Sequence, residues 1–240
     1  MKALFRLVAL LLALPSLALA LLVLTGRPTW SGIAYVVGLG ALQFGLAAKR
    51  HRRAVVVGAL GFIALIVVVR CVTGREGRTL RHAHEARVVD RLVEESDISI
   101  AATRTLAGGG LLHDDAAELP AAVRDAYARM RADQGDLPSP VVATYLGLQT
   151  RENFDLLMFD PAPEERTNER ALIFLHGFAG GFALPCWQMA SAVASLGVVT
   201  ACPSTGWKGE WWTPEGEAIL RETVKTLHAR GVRHIACRRS

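Results

Sequence analysis

The chain has 240 residues, 51% of them hydrophobic, and a mean hydropathy of +0.29, which excludes disorder and directs attention to membrane spans. Its formal net charge of +5 is unevenly spread: residues 1–87 carry 12 Lys/Arg against 2 acids, and residues 88–240 carry 15 against 20. A basic excess gathered around apolar segments fits membrane flanks, whereas a nucleic-acid binder would carry it on a folded face, so nucleic acid is excluded as a partner.

Val8–Thr25 and Trp30–Ala48 carry no charged side chain, and neither does Ala54–Val69, which extends to Thr73 if Arg70 snorkels. About three membrane helices are expected, making the lipid bilayer the first partner and the chain an integral protein of the cell membrane. Ala18-Leu19-Ala20 resembles a signal cleavage site, but the apolar run continues through Leu21–Leu24 and fits a retained helix better. Pro15 in the first span and Gly38, Gly40 and Gly45 in the second suit close helix approach. No Asp, Glu, Lys or His lies at mid-depth, so the spans read as an anchor and not as a transport path. With the N-terminus inside, Lys2, Arg6, Lys49, Arg50, Arg52 and Arg53 are cytoplasmic together, and the C-terminal part emerges on the exoplasmic side. Arg27, Arg70, Arg75, Arg78 and Arg81 then fall on that opposite side.

After the anchor (residues 1–73) comes a helical connecting segment, 74–135. Leu80, Val88, Val89, Leu92 and Val93 predict an amphipathic helix over Thr79–Glu95 that stops near Ser96. His82, His84 and Glu85 belong to its polar surface, because residues two apart do not share a helix face and cannot grip one metal. Gly108-Gly109-Gly110 forms a turn and lacks the Lys-Ser/Thr of a phosphate loop. Pro120 at a helix start and Gly135 at its end bracket a second helix.

A turn-rich linker, Asp136–Pro140, opens the C-terminal part, 136–240. Val141–Leu148 and Phe154–Asp160 are β-rich and, joined by Gln149–Asn153, predict a hairpin. The continuous apolar run Ala171–Leu175 predicts a buried parallel strand that leads into His176-Gly177-Phe178-Ala179-Gly180-Gly181. Glycines there let the chain turn sharply and leave amides facing a cleft, ready for a developing oxyanion. A helix over Leu184–Leu196, a strand at Val198–Cys202, a helix over Pro214–Arg230 and a strand at Arg233–Cys237 complete a βαβαβ pattern.

Over Val141–Ser240 this pattern resembles the α/β-hydrolase family, in which a strand ending in His-Gly-X supplies an oxyanion amide and the next two strand–helix units lead to the nucleophile elbow. The fold class expected is therefore an α-helical membrane anchor followed by a partial α/β-hydrolase-like domain. The resemblance implies that the Phe178 N–H, assisted by Ala179, is the oxyanion donor, while His176, Gly177, Gly180 and Gly181 shape the turn. His176 is then not the catalytic base, which in that family follows the acid late in the chain. The last strand runs into Ile235-Ala236-Cys237-Arg238-Arg239-Ser240 where the family has Gly-X-Ser-X-Gly, and the acid and base are missing with it. The expectation is a serine ester or amide hydrolase lineage in a truncated or frame-shifted chain that is itself inactive, with no catalytic residue identifiable and no cofactor or metal.

The cysteines Cys71, Cys186, Cys202 and Cys237 form no Cys-X-X-Cys pair, so the sequence points to buried thiols and signals neither zinc nor a disulfide framework. Trp207, Trp211 and Trp212 follow a strand's C-terminal end, where α/β sheets bind ligands, and are candidates to line a substrate cleft or to pack their loop on the sheet. The final strand is left as an open sheet edge, which favours aggregation or proteolysis. It also supports the alternative of a non-catalytic membrane protein whose partial α/β domain pairs there with a protein partner.

Overall fold

A computed structural model describes residues 20, 26, 29–48, 51–73, 80–81, 88–111, 117–161, 169–177 and 183–239. The chain divides into two compact units, Met1–Thr73 with Leu92–Asp125, and Gly74–Arg91 with Ala126–Ser240, so the expected connecting segment 74–135 is shared between them.

The first unit is built on two helices, α1 (Trp30–Ala47) and α2 (Arg52–Thr73), both long and apolar enough to cross a membrane. At 1.5 Å per residue they measure about 27 and 33 Å, close to the roughly 30 Å of a bilayer's hydrocarbon core. The first expected span, Val8–Thr25, lies outside the described residues apart from residue 20. Thr29 caps α1 by accepting the Gly32 N–H at 3.3 Å. A Cβ at Gly38 would fall 2.8 Å from Ile63 Cγ1, and one at Gly45 2.8 Å from Val55 Cγ1. As the position advances along α1 its partner recedes along α2, so the two run antiparallel, with glycines two turns apart at their closest approach. A Cβ at Gly40 would meet no atom of the described residues within 4 Å.

Arg70 does not snorkel as the sequence suggested. It is buried and its Nη1 pairs with Glu94 Oε1 at 2.5 Å. Nearby, Asp97 accepts both the Thr29 N–H (3.0 Å) and the Thr29 hydroxyl (2.7 Å), tying α3 (Glu95–Gly108) to the start of α1.

The helix expected over Thr79–Glu95 is corrected: Leu80–Arg81 is a two-residue strand, β1, Val88–Arg91 is a short 3-10 turn, and the α-helix begins where the predicted one was to stop. Leu80 and Arg81 pair with Phe159 and Met158, so a sheet partner overrides local periodicity. Glu95 and Asp97 then sit in the first turn of α3, where its dipole favours negative charge. His82, His84 and Glu85 are outside the described residues. Helix α4 (Leu119–Gln134) occupies the Pro120 to Gly135 bracket, with Gly135 at φ 78° ending it.

The predicted hairpin is absent. Val141–Tyr145 is a single helical turn, α5, held by the Thr144 N–H donating to Pro140 O at 2.8 Å, with Val141, Ala143 and Thr144 buried. Burial of the three residues together outweighs their β preference. Strand β2 (Leu156–Phe159) instead pairs antiparallel with β4 (Val199–Pro203), and β4 lies parallel to β3 (Arg170–Leu175). On the other side of β3 lies β5 (His234–Arg239), also parallel. The order β1-β2-β4-β3-β5 is a small mixed sheet with a minor antiparallel edge strand.

Helices α6 (Ala183–Val193) and α7 (Pro214–Ala229) follow β3 and β4. Ile219 and Leu227 of α7 are fully buried against Leu156, Met158, Ala171, Ile173, Leu175, Val199 and Ala201, the side chains of one sheet face by the period of two. On the opposite face, Cys202 of β4 is bonded to Cys186 of α6, with Cα atoms 6.1 Å apart. This disulfide corrects the expectation of two buried thiols. Neither Cys71 nor Cys237 takes part in a disulfide.

Candidate oxyanion turn and its surroundings

Strand β3 is apolar to its last residue, Leu175, and delivers His176 into the interior with 4% of its surface exposed. Each ring nitrogen meets a backbone group. Nδ1 lies 3.0 Å from Gly177 O, and Nε2 lies 3.2 Å from the Thr205 N, whose hydrogen it accepts. The Thr205 amide can only donate, so Nε2 is unprotonated, and the neutral ring carries its proton on Nδ1 and donates it to the Gly177 carbonyl. Burial depresses the imidazole to about 4, against a smaller upward pull from Gly177 O. His176 is thus a neutral clip joining the exit of β3 to the exit of β4, with no ring nitrogen left to act on a substrate.

The segment after β4 closes over this clip. Trp211 is 8% exposed, packs edge-on against the His176 ring at 5.4 Å between centroids, and donates its indole N–H to His176 O at 2.9 Å. Gly209 has φ 63°, and a Cβ there would stand 2.9 Å from Gly177 C and 3.0 Å from His176 O. The segment therefore lies backbone against backbone on the His-Gly turn, which a larger residue would prevent. It passes into α7 through Thr213, whose hydroxyl accepts the Gly216 N–H at 3.2 Å, with Pro214 opening the helix.

The three tryptophans separate into different roles. Trp211 belongs to the apolar core. Trp207, 40% exposed, stacks on Tyr145 at 6.5 Å, with the Lys208 ammonium 5.9 Å from its ring centre. Trp212 is 66% exposed. The structure brings together His176, Gly177 and Trp211 and leaves Trp207 and Trp212 on the surface of the same loop. Phe178, Ala179, Gly180 and Gly181 lie outside the described residues.

Two supports were not foreseen. Thr205 acts through its backbone amide, which no side-chain motif announces. Behind it, Gln149 donates to Asp155 Oδ2 at 2.7 Å and to Thr144 Oγ1 at 3.1 Å, and accepts the Asp155 N–H at 2.9 Å. The Asp155 carbonyl then accepts the Ser204 N–H at 2.9 Å, fixing the residue before Thr205. Buried and hydrogen-bonded, this network orders the β4 exit from the side opposite His176 in sequence.

A surface groove of about 660 Å³ runs between Arg151, Glu152 and α7, and none of its lining residues belongs to the His176 turn. Its charges are paired among themselves, Arg221 with Glu217 and Lys225 with Glu222, each at 2.6 Å. Among the described residues no three His, Cys, Asp or Glu side chains gather as metal ligands. No protein-family model, curated protein or solved structure matches the chain.

Proposed function

We propose that the chain is a membrane-anchored protein of the α/β-hydrolase type, from a serine ester or amide hydrolase lineage, with its α/β unit on the exoplasmic side of the cell membrane. The observation that carries the hydrolase reading is the buried His176 clip at the end of β3. In that family an oxyanion amide comes from the loop between the third strand and the following helix. Here the His-Gly turn leaves β3 and leads to α6. The clip fixes the carbonyls of His176 and Gly177 inward, on Trp211 and on the His176 ring. The amides that follow, Phe178 first and Ala179 second, are assigned to the negative oxygen that develops as an acyl carbonyl is attacked.

No Gly-X-Ser-X-Gly occurs in this sequence, so no acyl-enzyme step is assigned to it. A serine-reactive fluorophosphonate separates the readings: the 240-residue chain stays unlabelled, whereas a form from the native membrane that contains the elbow is labelled at its serine. Absence of label from every form would contradict the hydrolase reading.

Sidedness draws on two independent features. In the sequence Lys49 and Arg50 follow α1, and Arg52 and Arg53 open α2; this cluster supports a cytoplasmic side for that end and an outside position for the part after Thr73. The Cys186–Cys202 disulfide belongs to the part that follows Thr73, and such bonds persist in oxidising compartments.

A second reading is favoured by β5. Among the described residues it pairs with β3 alone, and its residues Ala236, Cys237 and Arg238 are exposed. This open edge would accept a strand from a protein partner, in a non-catalytic role. A partner co-purifying in fixed ratio, with no fluorophosphonate label on any form, is the outcome that selects this reading.

A further inference from the structure

The end of the first unit at which α1 begins contains a pocket of about 310 Å³, lined by Gly26, Ile100, Arg104, Ala107, Pro120 and Arg124 among others. Among the described residues its lining carries two guanidinium groups and no acid. Arg104, on α3, is half-buried and forms no hydrogen bond or ion pair among the described residues. Arg124, on α4, is 38% exposed and has one long contact, Nε to Asp125 Oδ1 at 3.5 Å, which leaves most of its five donors uncommitted. Withdrawing guanidinium groups from water without a counter-charge is unfavourable, and an anion with several oxygens in one plane or tetrahedron relieves that cost through paired N–H donors.

The position of the pocket says where such an anion would come from. Gly26 is buried three residues ahead of Thr29, the cap of α1, and Trp30, the first residue of that helix, is 53% exposed. Tryptophan at the end of an apolar helix marks the headgroup level of a bilayer. Beside the two arginines, Ile100, Ala107 and Pro120 offer an apolar wall suited to the carbon atoms that flank a phosphodiester.

We propose that this pocket binds a phosphate group through Arg104 and Arg124, and that the phosphodiester of an anionic membrane lipid supplies it. The inference rests on the membrane reading of α1 for the source of the phosphate, and it is independent of the hydrolase reading.

The test uses the full chain in neutral detergent, titrated separately with dihexanoyl-phosphatidylglycerol and with inorganic phosphate and followed by calorimetry. Saturable binding of the lipid is expected, weakened about tenfold or more in the double variant Arg104→Gln, Arg124→Gln and largely retained when both are changed to Lys. Each single Gln variant should weaken binding as well, which preserves the test if the double variant fails to fold. Lipid bound in preference to inorganic phosphate assigns the source to the bilayer. Equal or tighter binding of inorganic phosphate keeps the phosphate site and overturns the lipid assignment. Binding of neither probe, or unchanged binding in all Gln variants, overturns the site itself.

Discussion

His176 Nε2 accepts the Thr205 N–H at 3.2 Å, and this bond ties the exit of β3 to the exit of β4 in the buried centre of the α/β unit. The bond exists only while the ring is neutral, because a protonated Nε2 would face an amide donor. The His176 proton affinity is therefore tied to folding.

Burial lowers His176 from the ordinary histidine value near 6.5 to about 4. Between those values the unfolded chain binds a proton that the folded chain refuses. The contribution of this group is fully present above about pH 6.5, falls as pH drops through the window, and levels off below about 4, a loss of about 3 kcal/mol. Thermal unfolding of the detergent-solubilised chain between pH 7.5 and 4.5 should show a falling Tm. His176→Gln should be less stable at pH 7.5 by about 2 kcal/mol and show a flatter pH profile. A profile as steep in the variant as in the wild type would assign the acid sensitivity elsewhere.

Gly209→Ala combines a left-handed backbone with a Cβ driven into the Gly177 backbone. The expected loss is about 2 kcal/mol or more, because neither backbone segment can move without breaking the Trp211 to His176 hydrogen bond. Trp211 fluorescence should shift to the red as the indole gains water. Gly206→Ala, where a Cβ meets nothing and φ is not left-handed, is the control that should leave both stability and emission close to wild type.

The disulfide between Cys186 and Cys202 closes a short loop, with a sequence separation of 16. Its removal by the paired change to Ala should cost about 3 kcal/mol, most of it through the greater freedom of the unfolded chain. Non-reducing peptide mapping should recover the two cysteines in one linked fragment. Recovery of both as alkylated peptides without reductant would remove the bond from the account.

In the first unit, Gly38→Val and Gly45→Val should separate α1 from α2, since each Cβ would lie 2.8 Å from a side chain of the facing helix. Gly40→Val should be tolerated. Protease resistance of the helical pair in detergent micelles is the measurement, and equal sensitivity of all three variants would contradict the packing described.

The α/β unit was legible from Ala171 onward because each of its elements carries its own punctuation. The run Ala171–Leu175 ends at a His-Gly turn, Gly197 at φ 65° separates α6 from β4, and Thr213-Pro214 opens α7. Val141–Leu148 misled because β-branched residues at a single buried helical turn satisfy the strand pattern equally well, and only packing decides between them. Thr79–Glu95 misled for the reverse reason: two backbone partners on β2 capture Leu80 and Arg81, a relationship that sequence periodicity does not carry. The disulfide was missed because its cysteines stand on a helix and a strand without recognisable spacing, so only their meeting across the sheet face reveals them. At the candidate site, His176 was visible as a motif residue. Thr205 and Gly209 were not, since both act through backbone alone.

The most direct test of the exoplasmic, membrane-anchored account is thiol labelling of intact cells with a membrane-impermeant maleimide, followed by mass mapping. The account predicts that Cys237, exposed on β5, is modified from outside, while Cys186 and Cys202 resist until the protein is reduced and unfolded. Labelling of Cys237 only after the membrane is breached, together with Cys186 and Cys202 recovered as free thiols, would place the α/β unit in the cytoplasm and contradict it.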